Sequence, residues 1–214
     1  MTEFKEKIKS IILEKIKAEE VNYNNYLLPE SFSKKITTYM SMKEDIVLCK
    51  KSILKLIELK KFNDFNENDE IENSLNISSI IMYCKCFMDA SKSSKSKLEI
   101  RDCFSEKDSN LLALHQTLMN VRNGFVAHRG DNEYDQSLVY FQTPKTDSKG
   151  EFTEYKIKSL RAGTFSTDMM NSYLVLFNHI EQIIEDKLQI QIQKIHSKIS
   201  SDYTFEGLES LLIK

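Results

Sequence analysis

The stretch Leu118–Asp131, L-M-N-V-R-N-G-F-V-A-H-R-G-D, gathers residue types that can do chemistry: Arg122, Asn123, His128 and Arg129 sit among apolar neighbours. Histidine changes charge near neutral pH, and arginine is a fixed cation with several N–H donors. The segment reads as the end of an amphipathic helix, so two uses compete. In one it is an active site. In the other, His128 hydrogen-bonds a buried carbonyl or complements the negative helix C-terminus, while Asn123 and Arg129 cap carbonyls. A regular helix advances about 100° per residue, so Arg122 and His128, six positions apart, point about 120° away from each other. They do not meet on a straight helix. Gly124, a poor helix former, lies between them, and Gly130 can end the helix just beyond His128. The spacing therefore predicts either a local distortion or two copies of the segment facing each other to complete one site. His128 continues the stripe Leu118, Val121, Phe125, which puts it on the packed side.

The elements that must hold this segment are mostly helices. The 214 residues are 41% hydrophobic and 29% charged, as in a globular domain large enough to bury a core. Five glycines and two prolines leave room for long uninterrupted helices. Apolar residues at helical spacing mark a helix over about 3–20 (Phe4, Ile8, Ile11, Ile12, Ile16) and a second from Glu30 (Phe32, Ile36, Ile46, Ile53, Ile57) to the polar tract Asn63–Asn68. A third covers about 71–92. A fourth runs from about Lys107 to Ala127, capped by Asp108 or Ser109, with Leu112, Leu114, Leu118, Val121 and Phe125 on its apolar face. After Gly130-Asp131 the period changes, and 138–141 and 152–157 read as strands around a hairpin loop at 144–150. Ser166 or Thr167 then caps a long helix to about Ser200, followed by a short amphipathic tail, Phe205–Ile213.

A net charge of −2, with 30 basic and 32 acidic residues interleaved, supplies no overall field to recruit nucleic acid or a membrane, so RNA-directed activity requires a local site. Cys49, Cys84, Cys86 and Cys103 lack zinc-site spacing and read as buried free thiols in a reducing compartment. No apolar run approaches a membrane span and no secretory leader is visible, so the expected location is cytoplasmic. The tract Ser91–Lys97 reads as a solvated loop.

Arg122-Asn123-Gly-Phe-Val-Ala-His128 resembles the signature of the HEPN superfamily of helical proteins: an arginine, usually a polar residue after it, then histidine after four to six intervening positions, here five. The flanks, Leu114-His115 upstream and Ala127-His128-Arg-Gly-Asp131 downstream, are similar to HEPN sequences, and the resemblance covers about residues 71–200. It implies a HEPN-like antiparallel helical bundle at 71–214; the residue pattern adds to this a small β-hairpin insert at about 136–158 and an N-terminal helical extension at 1–70, in a mainly α fold expected to form one compact unit overall. The resemblance also implies metal-independent RNA cleavage with no cofactor, by a homodimer whose two motifs are apposed. The ribose 2'-OH would attack the adjacent phosphate, His128 would move the proton, and Arg122 would hold the phosphate and the charge that develops on it. Asn123 would orient His128 or the phosphate, Arg129 would add an RNA contact, and His115 is a weaker auxiliary candidate. Many members act in toxin–antitoxin or phage-defence systems, which makes an antitoxin or defence protein an expected partner. In one branch the antitoxin modifies a tyrosine two or three residues after the histidine; Tyr134, six beyond His128, departs from that spacing. Other members bind RNA, nucleotides or proteins without cutting.

The remaining candidates read as structural. His115 is expected to be partly exposed on the surface, and His179 and His196 are scaffold residues on the last helix. Phe87, Phe104, Tyr140 and Phe141 are expected in core or hairpin packing rather than stacked on bases.

Overall fold

The computed structural model describes residues 2–19, 30–62, 69–88, 97–126, 135–142, 154–161 and 165–202. The protein is mainly helical. Six α-helices are seen in these residues: α1 (Thr2–Glu19), α2 (Glu30–Phe62), α3 (Asp69–Lys85), α4 (Ile100–Cys103), α5 (Ser109–Val121) and α6 (Thr167–Asp202). Strands β1 (Asp135–Gln142) and β2 (Glu154–Arg161) pair antiparallel, with Asp135 opposite Arg161 and Gln142 opposite Glu154. No helix among the described residues is long and apolar enough to cross a membrane. The tract 63–68, the loops at 91–96 and 144–150, His128, Arg129, Tyr134 and the tail 205–213 lie outside the described residues.

The chain divides into two compact units, Met1–Met40 with Asp186–Lys214, and Ser41–Glu185. This departs from the boundary expected at residue 70. The reason is visible in α2, whose Ile46, Cys49, Ile53 and Leu56 are fully buried in the larger unit, and whose Cys49 thiol donates to Ser79 O of α3 at 3.2 Å. The second half of α2 is core, not extension. In the smaller unit, Ile8, Ile11 and Ile12 of α1 remain exposed.

The core of the larger unit combines those α2 residues with Ile80, Tyr83 and Cys84 of α3, Leu118 and Val121 of α5, and Met170, Tyr173, Phe177, Ile180 and Ile184 of α6. Lys43 Nζ meets Glu185 Oε2 and Lys50 Nζ meets Glu181 Oε2, both at 2.6 Å, and Lys60 Nζ donates to Phe165 O at 2.8 Å. As residue numbers rise on α2 they fall on α6, so these segments run antiparallel. The ion pairs are partly exposed and add little stability by themselves; burial supplies most of it.

Local chemistry explains where elements begin and end. Ser166 Oγ accepts from Met169 N–H at 3.3 Å and caps α6. The cap upstream of α5 differs from expectation. Asp108 makes no side-chain cap to α5; its carboxylate accepts from Ser105 N–H (2.9 Å) and Ser105 Oγ (2.6 Å), closing a capping box around the 3₁₀ turn Glu106–Asp108. Those two bonds hold the Asp108 carboxyl below the usual carboxylate range. The third helix also stops earlier than its apolar pattern, at Lys85. Cys86, Phe87 and Met88 N–H bond back three residues, tightening the end, and Cys86 O accepts from Leu98 N–H at 2.8 Å.

Candidate functional site

The site grows from α5. This helix carries no Asp, Glu, Lys or Arg, and its exposed positions include Asn110, Ala113, Gln116 and Asn120. The first fixed charge after it is Arg122, at the C-terminal end where a cation complements the helix dipole. Arg122 N–H is shared between Leu118 O and Met119 O. From there the backbone leaves α geometry: Arg122–Val126 form a π-helical turn that contains Gly124. Such turns insert one residue per hydrogen-bonded ring and recur at functional sites. The local distortion expected between Arg122 and His128 therefore begins at Arg122 itself. His128 and Arg129 are outside the described residues, so the motif residues placed here are Arg122 and Asn123.

Arg122 is half-buried and Asn123 exposed. Arg122 Nη1 donates to Asn123 Oδ1 at 2.9 Å, which orients the guanidinium along the turn and uses one of its five N–H donors. The Cys84 thiol of α3 also feels this charge. Burial pushes its pKa up to about 12, and Arg122 pulls in the opposite direction. Cys84 Sγ donates to Leu118 O at 3.6 Å, the same carbonyl that accepts from Arg122 N–H.

His115 corrects an expectation. It is 1% exposed, so it is neither a surface histidine nor a direct RNA contact. It lies one turn before Leu118 on α5, in an aromatic box: Phe87, Phe104 and Tyr83 have ring centroids 4.4, 5.3 and 5.8 Å away. Burial lowers its pKa to about 4, which keeps the imidazole neutral. Its Nδ1 is 2.9 Å from the Tyr83 hydroxyl, whose own pKa burial drives far up. With the imidazole proton on Nε2, Tyr83 O–H donates to Nδ1. Tyr83 escaped sequence reading although a signal existed: it lies on the α3 stripe between Ile80 and Phe87, and a buried phenol needs a partner.

The other candidates are structural. His179 Nε2 is 2.7 Å from Cys103 O and its ring stacks on Phe104 at 5.7 Å. His196 is exposed on α6. Phe87 and Phe104 are buried, so they pack the core. All four cysteines are free and buried, and Cys86, like Cys84, has its pKa pushed up to about 12 by burial. Among the described residues no group of three or more His, Cys, Asp or Glu side chains is placed to hold a metal ion. Compared with protein-family models, with curated proteins and with solved structures, the chain matches none of them.

Proposed function

We propose that this protein is a metal-independent endoribonuclease of the HEPN type: an antiparallel helical bundle with a hairpin insert, acting in the cytoplasm as a homodimer with its two motifs apposed, in phage defence or a toxin–antitoxin system. The observation that supports this reading most directly is the switch from α to π geometry at Arg122, at the end of a charge-free helix. A half-buried arginine there can turn its remaining donors to an anion with little loss of side-chain freedom.

In the proposed reaction the ribose 2'-OH attacks the neighbouring phosphorus, the bond to the 5'-oxygen breaks, and a 2',3'-cyclic phosphate and a 5'-OH result. His128 takes the 2'-OH proton and returns a proton to the leaving oxygen. Arg122 holds the phosphate and the charge that grows on it, and Asn123 orients the guanidinium. Arg129 adds a phosphate contact. The test is incubation of RNA with purified protein in chelator. Wild type is expected to cut and His128→Ala to lose the activity; equal cutting by both, or none by either, removes the assignment.

The Arg122–Asn123 hydrogen bond favours a second reading, a non-catalytic HEPN module that binds RNA, a nucleotide or a protein partner. In it Arg122, oriented by Asn123, holds a phosphate through its remaining donors, and no base activates the 2'-OH. That reading expects binding that Arg122→Ala abolishes, with no cleavage.

A further inference from the structure

We infer that Tyr83 and Cys84, consecutive residues of α3, form a two-point clamp on α5 that sets the position of Arg122, and that both are positioning residues for the site. The link to catalysis rests on the endoribonuclease reading; the clamp itself does not.

The geometry is specific. Tyr83 reaches His115 at 2.9 Å, and Cys84 reaches Leu118 O at 3.6 Å. His115 and Leu118 are three residues apart, so the two contacts lie one helical turn apart on one face of α5. One contact alone would leave α5 able to pivot. Two a turn apart oppose both rotation and sliding of α5 against α3. A rotation equivalent to one residue would swing Arg122 by about 100°.

The second contact falls at the C-terminal end of α5, where the helix gives way to the π turn. Leu118 O accepts from the shared Arg122 N–H, and the π turn starts at that residue. An outside donor on this carbonyl therefore supports the point at which the helix ladder changes. The anchors are firm: Tyr83 and Cys84 are both fully buried, and the Tyr83 ring packs on Phe87 at 5.3 Å and on Phe177 of α6 at 5.2 Å. α3 also packs directly against the π turn. Packing alone would be served by phenylalanine and alanine at these positions. Polar atoms in an apolar core are costly unless they are used, and here both are used on α5.

Hydrogen exchange of the backbone amides of residues 122–126 in the full chain reads the clamp without requiring activity. Tyr83→Phe and Cys84→Ala are each expected to speed that exchange by about tenfold or more. Cys84→Ser, which keeps a donor, restores protection to within about threefold of wild type. Cys49→Ala removes a buried thiol bonded to Ser79 O rather than to α5, and is expected to change exchange at 122–126 by less than about threefold. If Tyr83→Phe does not fold, the Cys84→Ala and Cys84→Ser pair decides alone. The clamp is overturned if the Tyr83 and Cys84 variants leave exchange unchanged, or if Cys49→Ala speeds it equally. In the activity arm, Tyr83→Phe is expected to lower kcat for RNA cleavage by about tenfold or more with KM within about twofold. Faster exchange with unchanged kcat breaks the link to the site. A wild type that cuts no RNA removes the endoribonuclease reading, and exchange alone then settles the clamp.

Discussion

The hydroxyl of Tyr83 and Nδ1 of His115 stand 2.9 Å apart inside an aromatic box, the side chains coming from α3 and α5 and lying 32 residues apart in sequence. This pair joins two helices through polar atoms in an otherwise apolar region. Burial in this box keeps the imidazole neutral.

Acid should therefore weaken the fold. Unfolded His115 takes its proton near the ordinary 6.5, the folded residue only near about 4. Between those values the unfolded chain binds more protons, so stability falls as pH drops through this window and levels off below it. The contribution is up to about 3 kcal/mol. Thermal unfolding followed from pH 7 to 4.5 should show a shallower decline in His115→Gln than in wild type; equal slopes would sink the idea.

Phe177 packs between Tyr83 and Tyr173, with centroids 5.2 and 6.3 Å away, and is fully buried. Phe177→Ala should cost about 3–5 kcal/mol, since the cavity cannot collapse in a close-packed core. Urea unfolding measures this as a lower midpoint. A loss below about 1 kcal/mol would contradict the packing described.

The thiols should be silent in the native state. Cys84 and Cys86 have pKa values pushed up to about 12 by burial, and Cys49 and Cys103 are buried too. Since the thiolate is the nucleophile, an aromatic disulfide reagent at pH 8 should react about 100-fold or more slowly with native than with urea-unfolded protein. Prompt reaction of any thiol in the native protein would show that core to be open.

Ser166 supplies the side-chain cap of α6 through Oγ to Met169 N–H. Ser166→Ala should destabilise by about 1 kcal/mol. For a chain of this size that is a drop in Tm of about 2–4 °C, readable by calorimetry. Ser166→Asp should keep the cap and the Tm.

Under the proposed function, Arg122→Lys should retain much of the RNA affinity and lose about 100-fold in kcat, because a point charge replaces a fork aimed at developing charge. Single-turnover cleavage in chelator separates the two effects. Undiminished kcat would remove Arg122 from the chemistry.

Residue order alone was enough to mark α1, α2 and α6. A 3.6-residue period in apolar positions is visible without knowing what it packs against, and with few glycines and prolines nothing interrupts it. It also called for either a distortion between Arg122 and His128 or two facing copies of the segment, because the mismatch between six residues and whole helical turns is a property of the chain by itself; that the backbone changes geometry at Arg122 is seen only in the structure. Packing decided the rest. Four residues of α4 are too few to show a period, and the Ser105–Asp108 box turns on a side-chain choice between two neighbouring turns. His115 looked like a surface residue because periodicity says which face it lies on, not whether another helix covers that face. Only the tertiary structure brings Tyr83 and Cys84 across more than 30 residues of chain to His115 and Leu118, and it sets Phe87 and Phe104 beside Tyr83 around the imidazole, which buries that ring.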